Sequence, residues 1–175
     1  RLADEPLVYS YPKRQPRGLR RSSRSTTMKD WPSVAVIVIN WNGVADTSEC
    51  LESVRSITYP SYETIVIDNG SSGDDARVLE ERFGDTTQLI VSEKNLGFAG
   101  GCNLGIRHAL ATDAGYVLLL NNDVVVQPTF LEELVRAAEG LPDAAVLCPK
   151  IYFHDHPTVI CSTGGRVNPW AGTAR

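Results

Sequence analysis

No apolar run in the 175 residues exceeds the six of Val34–Ile39, and Tyr116–Leu120 is shorter still. A membrane-spanning helix needs about 20 such residues. No apolar stretch stands near residue 1 to read as the core of a signal peptide. The chain is therefore expected to be neither an integral membrane protein nor an ordinary secreted precursor. Cysteine is sparse: Cys50, Cys102, Cys148 and Cys161 are widely separated and form no CxxC pair, which excludes zinc-ribbon and thioredoxin-like sites. Free, mostly buried thiols in a reducing compartment are the expectation. Three signatures are also missing. There is no GxxxxGK followed by Ser or Thr, so the chain is not a P-loop NTPase. Gly97, Gly100, Gly101 and Gly105 do not fit GxGxxG, which disfavours a dinucleotide-binding oxidoreductase. No GxSxG elbow is present, which disfavours an α/β-hydrolase.

Acidic and basic residues are unevenly shared. Residues 1–30 carry eight Lys/Arg and three Asp/Glu, whereas residues 31–175 carry nine and eighteen. An acidic body argues against nucleic acid as a partner. Residues 1–30, rich in Arg, Ser and Pro and without apolar period, are expected to form a disordered basic arm. That arm is either a solvated tail or a contact for phosphate or a membrane surface. Met28 is the single methionine, and a natural start there is an alternative origin for the residues before it.

From Val34 the pattern changes. Val34–Ile39 is apolar on both faces and β-branched, as a strand covered on both sides should be. Asp46–Ile57 places Cys50, Leu51, Val54 and Ile57 at helical spacing, with Asp46 or Thr47 as the expected cap. Thr64–Ile67 reads as a second strand and Asp74–Phe83 as a helix with Ala76, Leu79 and Phe83 inward. Leu89–Val91 reads as a third strand, and a glycine-rich loop then opens a helix near Gly101–Ala111. Tyr116–Leu120 is a fourth buried strand. Thr129–Gly140 is a helix with Phe130, Leu131, Leu134 and Ala138 inward and Glu132, Glu133 and Arg136 outward. Ala145–Leu147 is expected as a fifth strand, with Ile151–Phe153 and Val159–Cys161 as further short ones. Alternation of this kind implies an α/β fold, a mostly parallel sheet with helices on both faces.

In an open parallel sheet, ligands bind beyond the carboxyl ends of the strands. Those ends here read Asn40–Trp41–Asn42–Gly43, then Asp68–Asn69–Gly70–Ser71–Ser72, then Ser92–Asn95 running into Leu96–Asn103, then Asn121–Asn122–Asp123. Any one cluster is ordinary loop chemistry, because Asn, Asp, Gly and Ser bond their own backbone. Four on one rim outline a polar-ligand site. A carboxylate ending a buried strand suits Mg2+ or Mn2+ held against a diphosphate, and one such carboxylate suffices because magnesium keeps waters. Trp41 is placed either to stack on a base or to pack under its loop. Lys94 either reaches a phosphate or stays in solvent. His154–Asp155–His156 is either part of a metal site or a polar turn.

The segments VAVIVINWNG, ETIVIDNGSSG, NLGFAGGCNLGIRHAL, YVLLLNNDVVVQP and CPKIYFHDHPTVICSTGGRV resemble the nucleotide-sugar-binding half of glycosyltransferase family 2. Within that family they are most similar to the rhamnosyltransferase-type branch. The resemblance implies a Rossmann-like GT-A fold over residues 31–175. It implies that Asn40 and Asn42 line a nucleoside pocket beside Asp68 and Asn69. It implies that Asn95 and Asn103 flank the loop shaping the nucleotide and sugar pocket. Asn121, Asn122 and Asp123 fall at the family's DxD position, with Asn in place of the first Asp, which leaves Asp123 as the metal ligand. The general base of such enzymes lies further downstream, so the chain is expected to be a donor-binding half, ending before the acceptor-binding half.

The function this implies is metal-dependent, inverting transfer of a sugar from a dTDP- or UDP-sugar, with rhamnose as the expected sugar. The acceptor is a glycan or a lipid-linked one, and the enzyme is expected in the cytoplasm, in peripheral contact with the inner face of the membrane. Two alternatives come from other classes. One is a module that binds nucleotide but lacks the base for catalysis. The other is a nucleotidyltransferase, disfavoured because no basic glycine-rich triphosphate loop follows the first strand.

Overall fold

The computed structural model describes residues 31–141 and 143–163, together with the backbone of 167–168 and 173–174. The expected basic arm, residues 1–30, lies outside the described residues. The main sheet has four parallel strands in the order β3-β2-β1-β4: β1 (Val34–Asn40), β2 (Tyr62–Asp68), β3 (Gln88–Val91) and β4 (Tyr116–Leu120). Strands β1 and β2 pair in register from Val34 with Tyr62 to Asn40 with Asp68, so two polar residues end side by side on the rim. Strand β4 pairs with the other edge of β1, so the direction of winding reverses between β1 and β4. Such a reversal opens a crevice at the strands' carboxyl ends.

Alternation along β1 divides the core in two. Val34, Val36 and Val38 face one side, where α1 (Val44–Arg55), α2 (Asp75–Phe83) and α4 (Phe130–Gly140) contribute Leu51, Val54, Leu79, Phe83, Leu131 and Val135. Ala35 and Ile37 face the other side with Ile65 and Ile67, against α3 (Gly97–Ala109). The α/β fold expected from the sequence, a parallel sheet with helices on both faces, is therefore the fold.

Five local expectations need correction. The fourth strand is not buried: Val117 and Leu119, on one face of β4, are exposed. The fifth strand does not form: Ala145–Leu147 is irregular, and Val146 is 88% exposed, in a short segment bounded by Pro142 and Pro149. Helix α3 begins at Gly97, four residues early, so the glycine-rich block is mostly helix rather than loop. Its buried stripe of Gly101, Gly105 and Ala109 lets the helix lie close on the sheet, where a Cβ on Gly105 would stand 2.5 Å from Ile37 Cγ2. Helix α1 begins at Val44 with Gly43 as N-cap, so Asp46 and Thr47 lie inside its first turn and cap nothing. On α4, Val135 is buried, while Leu134 and Ala138 are only half-buried. The remaining short strands, β5 (Ile151–Phe153) and β6 (His156–Ser162), pair antiparallel as a separate hairpin, and β7 (Val167–Asn168) pairs with β8 (Thr173–Ala174).

Candidate functional site

Asn40, the last residue of β1, is fully buried. Its Nδ2 donates toward Asp68 Oδ1 (2.8 Å), Asp75 Oδ2 (3.0 Å) and Ser71 Oγ (3.1 Å). Its Oδ1 accepts from the Thr47 hydroxyl at 2.7 Å. Asn40 is thus a bracket inside the rim rather than a wall of a pocket. Asp68 is buried as well and also accepts from the Ser71 hydroxyl and backbone N–H. Asn42, at φ 52, accepts at Oδ1 from the Ser72 backbone N–H (2.8 Å) and hydroxyl (3.1 Å). Asparagine is among the few non-glycine residues that adopt this left-handed conformation readily. These bonds lock the loop after β1 to the loop after β2.

A second bracket links β2 to α3. Asn69 Nδ2 donates to Asn95 Oδ1 and to the Gly97 carbonyl, both at 3.2 Å, while its Oδ1 accepts from the Leu96 N–H. Gly70, at φ +75, passes so close that a Cβ there would stand 2.4 Å from the Lys94 carbonyl carbon. Glycine is the residue that meets both demands.

Between these brackets and β4 a cleft of about 450 Å³ opens, lined by Ile39, Trp41, Asn69, Asn95, Gly97, Phe98, Asn121, Asn122 and Asp123. Trp41 and Phe98 are 55% and 63% exposed, so both rings are available to a ligand, and the packed alternative for Trp41 is excluded. Asn121 and Asp123 are exposed, and Asn122 is half-buried with its Nδ2 on the Thr47 hydroxyl at 3.0 Å. Asp123 is the only carboxylate lining the cleft among the described residues, and no hydrogen bond or ion pair there engages it. Beneath this loop the Cys50 thiol donates to the Asn121 carbonyl at 3.5 Å. Burial, and secondarily the charge of Asp123, pushes that thiol up to about 12, against a small lowering by the Val124 backbone, so it stays neutral.

No group of three or more His, Cys, Asp or Glu side chains suited to a metal occurs among the described residues. A closed, all-protein centre is not built there. One unengaged carboxylate in a cleft lined by amides does fit a hard cation that takes its other ligands from water and substrate phosphate.

Six of the nine residues singled out from the sequence thus meet at or under the cleft through Asn69, Asn95, Asn121, Asn122 and Asp123 on its wall and Asn40 behind it. Asp68 stands beside Asn40, and Asn42 ties the neighbouring loops. Asn103 is not brought in: it lies on the exposed face of α3. Lys94 is exposed and outside the cleft lining. His154 and Asp155 form the turn between β5 and β6, the plain alternative for that motif. Thr47, Phe98 and Asp75 had no site role on sequence grounds. Thr47 and Asp75 act across 75 and 35 residues of chain, separations that no local pattern reports.

The family model described as glycosyl transferase family 2 matches residues 35–164. The chain belongs to that family. An uncharacterized glycosyltransferase of Haemophilus influenzae is 29% identical over 64% of the chain, and hyaluronan synthase of Streptococcus pyogenes is 33% identical over 59%. The chain spans only 34% and 26% of those two proteins. Among solved structures, this family 2 chain resembles a mannosyltransferase from Pyrobaculum calidifontis in complex with GDP-Man and Mn2+. The TM-score is 0.54 at 25% identity, covering 69% of this chain and 36% of that one. S. aureus TarS in complex with UDP-GlcNAc shares the fold, with a TM-score of 0.52 at 22% identity over 62% of this chain and 31% of that one. The GT-A-like α/β architecture agrees with that expected from the sequence.

Proposed function

We propose that residues 31–175 form the donor-binding domain of a sugar transferase, with residues 1–30 a basic arm. The cleft takes a nucleoside-diphosphate sugar, and the sugar passes with inversion to a glycan or lipid-linked acceptor. The observation that carries this reading is the unengaged Asp123 carboxylate in the loop after β4, lining a cleft whose other polar side chains are amides and which holds two exposed aromatic rings. In this reading Trp41 stacks on the base, as exposed aromatics do for nucleobases. The amides of Asn95 and Asn121 bond ribose and phosphate oxygens. Asp123 holds Mg2+ or Mn2+, which supplies charge neutralisation for the leaving diphosphate. Nucleotide-sugar complexes of two solved proteins of similar fold support the class of donor. Rhamnose carried on dTDP is the donor favoured by the rhamnosyltransferase-like motifs, and the enzyme works in the cytoplasm at the inner face of the membrane.

Release of nucleoside diphosphate from dTDP-, UDP- and GDP-sugars, with and without Mn2+, tests the reading. Manganese-dependent release from one donor class is expected. No release and no binding of any of the three contradicts it. A second outcome has its own support: once Asp123 holds the metal, no carboxylate remains in the described cleft lining to act as base. Binding without turnover identifies this chain as the nucleotide-holding half alone.

A further inference from the structure

The cleft lies between the two brackets and the loop after β4; the Cys50 thiol ties that loop to α1, and Thr47 ties it to the Asn40 bracket. Thr47 is fully buried on the first turn of α1. A hydroxyl offers one proton and two lone pairs. Here the proton goes to Asn40 Oδ1 at 2.7 Å, and a lone pair receives Asn122 Nδ2 at 3.0 Å. The direction of these bonds is imposed from the far end. Asp68 and Asp75 offer only acceptors to Asn40, so Asn40 must turn Nδ2 toward them and Oδ1 toward Thr47. Thr47 must then donate to Asn40, leaving only a lone pair for Asn122. Gly43 keeps the space open, since a Cβ there would stand 3.1 Å from Asn122 Nδ2.

We propose that Thr47 is a positioning residue. It holds the Asn121–Asn122–Asp123 loop to the Asn40–Asp68 bracket, and so sets how well the cleft takes the metal-bound diphosphate of its ligand. The proposal rests on the donor-site reading above. Without the hydroxyl, the loop bearing Asp123 loses its tie to Asn40 and keeps the Cys50 contact to α1, while Asn40 keeps its bonds to Asp68 and Asp75 and the loops around Trp41 and Asn95 keep theirs. The effect therefore falls on the metal-dependent part of binding.

The test is calorimetric titration of the full chain with UDP, dTDP and GDP, each in Mn2+ and in EDTA, for parent, Thr47→Ser, Thr47→Val and Gly43→Ala. Thr47→Val removes both hydrogen bonds, and the loss of the one to Asn122 corresponds to a fall of about fivefold to tenfold in Mn2+-supported affinity. In EDTA its affinity should stay within about twofold, and Thr47→Ser should keep parental values in both media. Gly43→Ala, whose Cβ at 3.1 Å presses the Asn122 amide away from Thr47 by a few tenths of an ångström, should give a smaller loss of the same Mn2+-dependent kind and gives an answer even if Thr47→Val does not fold. Equal losses with and without Mn2+, or parental binding by both Thr47→Val and Gly43→Ala, overturn the proposal and leave the donor site standing. A folded parent that binds none of the three diphosphates overturns the donor site itself, and this proposal with it.

Discussion

Asp123 and Asn121 stand in the same loop after β4 with side chains of nearly equal size, and only one carries charge. Asp123→Asn removes that charge and leaves the fold's hydrogen bonds alone. It should weaken Mn2+-dependent nucleoside-diphosphate binding by at least about tenfold, roughly 1.4 kcal/mol, with an unchanged melting temperature. Asn121→Asp adds a second carboxylate and should be milder, with equal or tighter Mn2+ binding in the same titration. Trp41→Ala removes an exposed ring that no core contact needs. It should lower affinity for UDP by about tenfold both with and without the metal, since base stacking contributes about 1–3 kcal/mol. The cleft-lining asparagines and Asp123 were legible because polar residues ending apolar strands stand out. The buried role of Asn40 was not, since its partners Asp68 and Asp75 are 28 and 35 residues away.

At the scale of elements, α3 shows what periodicity conveys and what it hides. The bounds of strand β4 were readable, because a run of five apolar residues between Gly115 and Asn121 is too short for a helix, but its burial was not, since Val117 and Leu119 are exposed. The start of α3 was hidden because glycine ordinarily signals a loop. Here Gly101 and Gly105 are instead contact surfaces, since α3 rests directly on Ile37 and Ile39. Gly105→Ala should destabilise the fold by about 1–3 kcal/mol in urea unfolding, the usual cost of overpacking. Gly140→Ala, with nothing within 4 Å of its Cβ, should stay within about 0.5 kcal/mol. Ala145–Leu147 was misread for a related reason: three apolar residues satisfy a strand pattern, but among the described residues no strand pairs with them.

Across the whole molecule, burial divides the thiols. Cys50 and Cys102 are buried and Cys148 and Cys161 exposed, all four free, so half of the sequence expectation of buried thiols holds. A disulfide reagent at pH 8 should modify Cys148 and Cys161 quickly in the folded chain and reach Cys50 only after denaturation. Because burial raises the Cys50 thiol from 9.0 to about 12, its contribution to stability is complete below pH 9 and is lost as pH rises toward 12. The same long-range assembly creates the cleft, which joins residues from the ends of all four parallel strands. Its central property is a nucleoside diphosphate held through a metal at Asp123, and crystals soaked with Mn2+ and UDP or dTDP test this most directly. Anomalous scattering should place one Mn2+ bridging the Asp123 carboxylate and the diphosphate, with the base against Trp41. A diphosphate bound in the cleft with no Mn2+ on Asp123, or Mn2+ and nucleotide bound elsewhere, would contradict the account.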